Sequence, residues 1–180
     1  MKLKKKDHLY LEKLLYKFNK NSHNKKPYPL LENGFTTNDI IKGVEILLSK
    51  KITMSNVTKK FEYEFGKFIG SKYCLMVNSG SSANLLAAFA LINPLKKNKL
   101  KRGDEFIIPS LCWSTSLWPF IQAGLKPKFI DVDINNFCLN ENLIRNKYYK
   151  NCKAIVNIHI LGNCSDIEKI NYYSRLNNMH

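Results

Sequence analysis

Along the second part of the chain, compact apolar runs alternate with stretches in which apolar residues recur every three to four positions. The runs predict strands at residues 73–77, 106–109, 128–132 and 154–160. Between them, helical spacing predicts helices over 83–92, over 116–123 with Gly124 as its stop, and a short one near 142–149. Ser165 and Glu168 stand three apart, the spacing of a capping box, and open a last helix through Tyr172. Upstream, Thr37 is placed to cap a helix carrying Ile40, Ile41, Val44, Ile46 and Leu47, and Val57, Phe61, Phe65 and Phe68 mark a second. The linker 51–55 separates the two. Strands that alternate with helices and read as continuous apolar runs predict an α/β fold, a mostly parallel sheet covered on both faces.

The first 28 residues have a different character. Leu9, Leu11, Leu14, Leu15 and Phe18 recur near helical spacing among lysines, which predicts a basic amphipathic extension. Either it packs on the domain as a surface helix, or it lies on an anionic membrane or a partner. Pro27, Pro29 and Asn33-Gly34 break the pattern, so the boundary is placed near residue 28 and the main domain at 29–180.

Composition changes this picture little. A chain of 180 residues with 44% apolar content suits one domain, and no run is long enough to span a bilayer, so a cytoplasmic protein is expected. The five cysteines are scattered, without a CxxC pair or a histidine at ligand spacing, which predicts reduced thiols and no metal site. The net charge of +15 raises nucleic-acid binding as a reading. That reading is set aside because the charge is spread out and arginine is scarce; residues 96–102 are the one dense charge run, expected as a solvated loop.

The candidate chemistry sits at Asn78-Ser79-Gly80-Ser81-Ser82, between the predicted strand at 73–77 and the helix that follows. A glycine and small hydroxyl residues at a helix start gather free N–H groups at the positive end of the helix dipole, a site suited to a phosphate. The same residues also serve as a plain N-cap, with Ser79 or Ser82 as the capping side chain. Trp113 falls in the loop after the next strand, where open α/β sheets bind ligands; it is placed either to stack on a flat ring or to fill core. Asp131 and Asp133 are expected to cap a turn, and His159 is either substrate-facing or a hydrogen-bonded loop histidine.

The ordered segments NSGSSANLLAAFAL, LKRGDEFIIPSLCWSTS, GLKPKFIDVD and AIVNIHILGNCSDIEKI resemble the DegT/DnrJ/StrS family of pyridoxal-phosphate-dependent sugar aminotransferases, over residues 34–170. The resemblance implies the N-terminal part of a fold-type I aminotransferase large domain, and a homodimer with shared active sites. It also implies a pyridoxal phosphate cofactor, or its pyridoxamine form, and a 4-keto nucleotide-linked sugar as substrate. By the same resemblance Gly80 and Ser81 offer N–H groups and Ser82 its hydroxyl to the cofactor phosphate, Trp113 stacks on the pyridine ring, and Thr53 and His159 face substrate.

The form of the first motif, the long 93–101 connection and Leu161-Gly162-Asn163 are similar to the nucleotide-sugar 3-dehydrase branch, which serves lipopolysaccharide biosynthesis and implies an iron–sulfur reductase partner. Departures are the missing glycine near Ser55 and Arg102 in place of a common proline. The family's ring-nitrogen aspartate and its cofactor-anchoring lysine, or the histidine of 3-dehydrases, are expected beyond His180. No catalytic residue is therefore assigned within the 180 residues, and the chain alone is expected to be inactive and poorly soluble. The competing reading is a non-catalytic basic interaction protein.

Overall fold

A computed structural model describes residues 3–21 and 34–180, the side chains of 18–21 excepted. The boundary near residue 28 lies outside the described residues. Two compact units are present, Met1–Met76 and Val77–His180.

The first unit is helical. Helix α1 (Lys5–Asn21) meets α2 (Thr37–Ser49) through Glu45, whose carboxylate accepts the Leu3 N–H at 3.0 Å and lies 3.3 Å from His8 Nε2. The packed-helix reading of the extension thus has a physical basis. Thr36, not Thr37, caps α2: its hydroxyl accepts from the Asp39 N–H while Asp39 accepts from the Thr36 N–H, so the box is set by the acid three residues on. Those bonds hold the Asp39 carboxyl below its usual range. Helix α3 (Asn56–Ile69) carries Phe61, Phe65 and Phe68 as a ring ladder with centroids 5.5 and 6.4 Å apart.

The second unit holds a parallel sheet in the order β2-β1-β3, with β1 at Glu105–Pro109, β2 at Lys126–Ile130 and β3 at Ala154–Ile155. Side chains alternate across it as strand geometry demands. Phe106 and Ile108 face α4 (Gly80–Leu91) and α5 (Ser114–Gln122), packing with Ala88, Phe120, Ala123 and Leu125. Ile107 faces the other way, with Ile130, Leu139, Ile144, Tyr149 and Ile170 of α6 (Ile167–Leu176). Both faces are covered, as the apolar runs predict. Leu100, inside the run expected as a solvated loop, is buried in the first of these clusters.

Four further expectations need correction. Residues 73–77 form no strand: among the described residues the sheet consists of β1, β2 and β3 alone, and Tyr73, Leu75 and Met76 are exposed. That segment is held instead by Ser71 Oγ donating to the Tyr73 carbonyl and by the Met76 N–H on Glu62. The fourth predicted strand is shorter than 154–160, because Val156 makes its last bond to β1 and Asn157 turns to accept the Ser165 hydroxyl at 2.8 Å. Ser165 is therefore not the cap of α6; Asp166 is, accepting from the Lys169 N–H. The helix expected near 142–149 is two 3-10 turns, Glu141–Arg145 and Lys147–Tyr149.

His180 lies alongside β3. Its N–H donates to the Lys153 carbonyl at 2.8 Å and its carbonyl accepts from the Ile155 N–H at 2.9 Å. One residue bonding to both neighbours of Ala154 is the parallel pattern.

Candidate cofactor site

The site is built at the start of α4. Ser79 has extended backbone and its hydroxyl accepts the Ser82 N–H at 3.2 Å, while its carbonyl takes the Ala83 N–H. Those bonds leave the Gly80 and Ser81 N–H groups as first-turn donors that no acceptor among the described residues takes. The Ser82 hydroxyl donates to Asn78 Oδ1 at 2.6 Å and lies 3.2 Å from Ser79 Oγ. Three hydroxyl and amide side chains thus converge around two free N–H groups at the positive end of a twelve-residue helix.

Helix α5 fixes this turn in place. Pro119 sits inside α5 and has no N–H to give the Thr115 carbonyl four residues earlier. Asn84 Nδ2 donates to that carbonyl at 3.1 Å. The proline frees an acceptor, and the neighbouring helix supplies the missing donor, joining the first turns of α4 and α5. A shallow cavity of about 220 Å³ opens between them, lined by Ser81, Ser82, Leu85, Thr115, Trp118, Pro119 and Gln122.

Trp113 occupies the N-cap position of α5 with no side-chain cap bond, and its side chain is 75% exposed, so the core reading does not hold. It stands in the loop after the C-terminal end of β1, the central strand, where connections depart to opposite sides of the sheet and α/β folds leave a crevice. Burial raises the neighbouring Cys112 thiol above its ordinary value, which keeps it protonated and a poor nucleophile.

The remaining candidates belong to other segments of the chain. His159 is exposed and caps nothing with its side chain, just before the short turn Ile160–Gly162. Thr53 lies in the exposed bend between α2 and α3 of the first unit. Asp133 caps a turn, as expected, accepting the Asn135 N–H at 2.7 Å. Sequence reasoning included Asn78 in the turn without a role for its side chain, and it missed Asn84 and Trp118. Pro119 carried a usable signal, since a proline inside a helix orphans a carbonyl at a known position. No cluster of metal-ligating residues exists among the described residues.

The chain belongs to the DegT/DnrJ/EryC1/StrS aminotransferase family, whose model matches residues 36–179. It is 40% identical over 144 residues to a GDP-4-keto-6-deoxy-D-mannose 3-dehydratase of Escherichia coli O55:H7, covering 80% of this chain and 37% of that protein. The lipopolysaccharide biosynthesis protein RfbH of Salmonella typhimurium is 40% identical over 128 residues, 71% of this chain and 29% of that one. Among solved structures, the E. coli GDP-4-keto-6-deoxy-D-mannose-3-dehydratase with bound hydrated PLP superposes with a TM-score of 0.78 at 38% identity, covering 84% of this chain and 39% of that one. This chain therefore spans well under half the length of these relatives. The fold they share is the fold-type I arrangement expected from the sequence.

Proposed function

We propose that this chain carries the cofactor-holding part of a pyridoxal-phosphate enzyme acting on a 4-keto nucleotide-linked sugar, by 3-dehydration, in lipopolysaccharide biosynthesis. Aminotransfer on the same class of substrate is the alternative. The observation that carries the reading is the pair of unpartnered N–H donors at Gly80 and Ser81 beside the Ser82 hydroxyl, in a chain 40% identical to a named 3-dehydratase.

The donor set suits a phosphate. An added Cβ at Gly80 would meet no atom of the chain within 4 Å, so the glycine leaves open space beside the free N–H groups, where an anion can approach closely. Gly80 and Ser81 would hold the phosphate through their N–H groups and Ser82 through its hydroxyl, while Trp113 would offer its exposed face to the pyridine ring. When bound, the cofactor supplies an electron sink for negative charge developing on a substrate carbon. Thr53 and His159 are proposed on the substrate side. A homodimer, the pyridoxamine form of the cofactor, an iron–sulfur reductase partner and a cytoplasmic location belong to the same proposal, supported by the family resemblance.

Equilibrium binding of pyridoxal phosphate to Ser82→Ala and Trp113→Ala tests it. Loss of a hydrogen bond to a charged oxygen predicts about 10-fold weaker binding or more for the first. Lost stacking predicts about 3- to 10-fold for the second. Unchanged affinity in both would show that the cradle is elsewhere.

A further inference from the structure

Asn84 is half-buried on α4, two residues after Ser82, and its Nδ2 donates at 3.1 Å to the carbonyl of Thr115, two residues after Trp113. The two residues are 31 positions apart, so the bond is tertiary and spans the elements that carry the free N–H donors and the exposed ring. Among the described residues it is the one hydrogen bond between α4 and α5. Otherwise the helices meet through apolar contact, with Ala88 of α4 and Phe120 of α5 in one cluster. Such contact is non-directional and holds two faces together without fixing a register along them. A hydrogen bond weakens steeply with misalignment, so this one fixes the register.

Both ends of this tie are held. On α4, the Ser82 N–H bonds to Ser79 Oγ and the Ser82 hydroxyl to Asn78 Oδ1. On α5, the Trp113 carbonyl accepts the Ser116 N–H at 2.9 Å, which joins Trp113 to the turn that contains Thr115. The Thr115 carbonyl is open to another element because Pro119 has no N–H. An ordinary residue at position 119 would satisfy that carbonyl inside α5, with no need of α4. The shallow cavity of about 220 Å³ has Ser81 and Ser82 on one wall and Thr115 on the other, so its width follows the same bond.

We infer that Asn84 is a positioning residue for the cofactor: acting through the Thr115 carbonyl, it sets the separation of the Trp113 ring from the Gly80, Ser81 and Ser82 donors, so that one molecule carrying a phosphate and a flat ring engages both. This rests on the pyridoxal-phosphate reading of the site. Binding at two points gains from having them held at the right spacing beforehand, and the gain is lost when the spacing drifts, although each point still binds. The most that losing the tie can cost is the contribution of Trp113, about 3- to 10-fold in affinity.

The test measures Asn84→Ala/Pro119→Ala against Pro119→Ala, because an alanine at 119 supplies the N–H that the Thr115 carbonyl would otherwise miss. The comparison removes the folding penalty of an orphaned carbonyl and leaves the tie. Equilibrium dialysis of pyridoxal phosphate, alone and in competition with inorganic phosphate, should show the cofactor weakened about 3- to 10-fold by loss of Asn84, with the competition constant of phosphate within about 2-fold. On a Trp113→Ala background the same loss should cost under about 2-fold, since the ring it positions is gone. Cofactor affinity within about 2-fold of the reference, equal weakening of phosphate and cofactor, or an undiminished effect on the Trp113→Ala background would overturn the inference. Loss of cooperative thermal unfolding in the double variant would also overturn it, by making the bond a requirement of the fold. If Ser82→Ala and Trp113→Ala both leave pyridoxal phosphate affinity unchanged, the cofactor reading fails and this inference with it; a negative result confined to Asn84 leaves the cradle in place.

Discussion

Replacing Gly80 with alanine separates the two roles of the α4 turn, because folding and binding should move in opposite directions. Gly80 is the first residue of the helix, its φ is not in the left-handed region, and the new Cβ would meet nothing of the chain within 4 Å. Nothing in the fold therefore needs glycine here. Alanine removes backbone freedom from the unfolded chain, and at a helix end this stabilises by about 0.3–1 kcal/mol. For a chain of this size that raises Tm by roughly 1–3 °C. The same methyl occupies the space beside the free Gly80 and Ser81 N–H groups. If a phosphate approaches there, one hydrogen bond to a charged oxygen is lost or lengthened, which costs about 1.5–3 kcal/mol and weakens pyridoxal phosphate at least about 10-fold. Thermal unfolding by circular dichroism and equilibrium dialysis of the cofactor measure the two quantities. A Tm lowered by several degrees would show that the turn is more crowded than described. A raised Tm with unchanged cofactor affinity would refute the phosphate assignment at this helix start.

Asn84→Ala leaves the Thr115 carbonyl without the donor that Pro119 already denies it; we expect a loss of about 1–3 kcal/mol in denaturant unfolding, and a loss under about 0.3 kcal/mol would contradict the account. Gly124 has φ +85° and an added Cβ would fall 2.6 Å from Arg102 Cγ, so Gly124→Ala should destabilise by about 1–2 kcal/mol; pairing it with Arg102→Ala should recover only the steric part, and full recovery would show that backbone strain is absent. Burial, and secondarily the Glu105 charge, push the Cys152 thiol up to about 11 from 9.0. Because the folded value exceeds the unfolded one, its contribution is complete below pH 9 and is lost as pH rises from about 9 to about 11. Cys152→Ala should flatten stability over that window, and an unaltered slope would argue against it.

The layered architecture was legible because it rests on residue periodicity. Phe106, Ile107 and Ile108 form a continuous apolar run since each faces one of two covered sides, and local sequence carries that signal. The Ser79 cap and the free donors after it were readable for the same reason: the pattern is contiguous. What failed was whatever depended on a distant partner. Residues 73–77 have strand composition, yet a strand needs a partner strand, and none of the three in the described sheet pairs with them. Ser165 and Glu168 have capping-box spacing, but Asn157, eight residues earlier, captures the serine hydroxyl. The bond from Asn84 to Thr115 lies between those cases, since Pro119 announces the orphaned carbonyl and only the tertiary fold brings the amide to it.

The placement of β1 between β2 and β3 also orders the events of folding. Glu105 pairs with Lys126, 21 residues on, whereas Phe106 pairs with Ala154, 48 residues on. Loop-closure entropy separates these by only about 0.7 kcal/mol, a factor of roughly three in rate. The larger asymmetry is that β2 arrives with α5 already packed on Phe106 and Ile108, while β3 offers two residues of ladder. The β1–α5–β2 crossover is thus the natural nucleus, and substitutions at Phe120 should slow folding where those at Ile155 mainly hasten unfolding. The central strand that places the Trp113 loop is then also the strand around which the sheet is assembled.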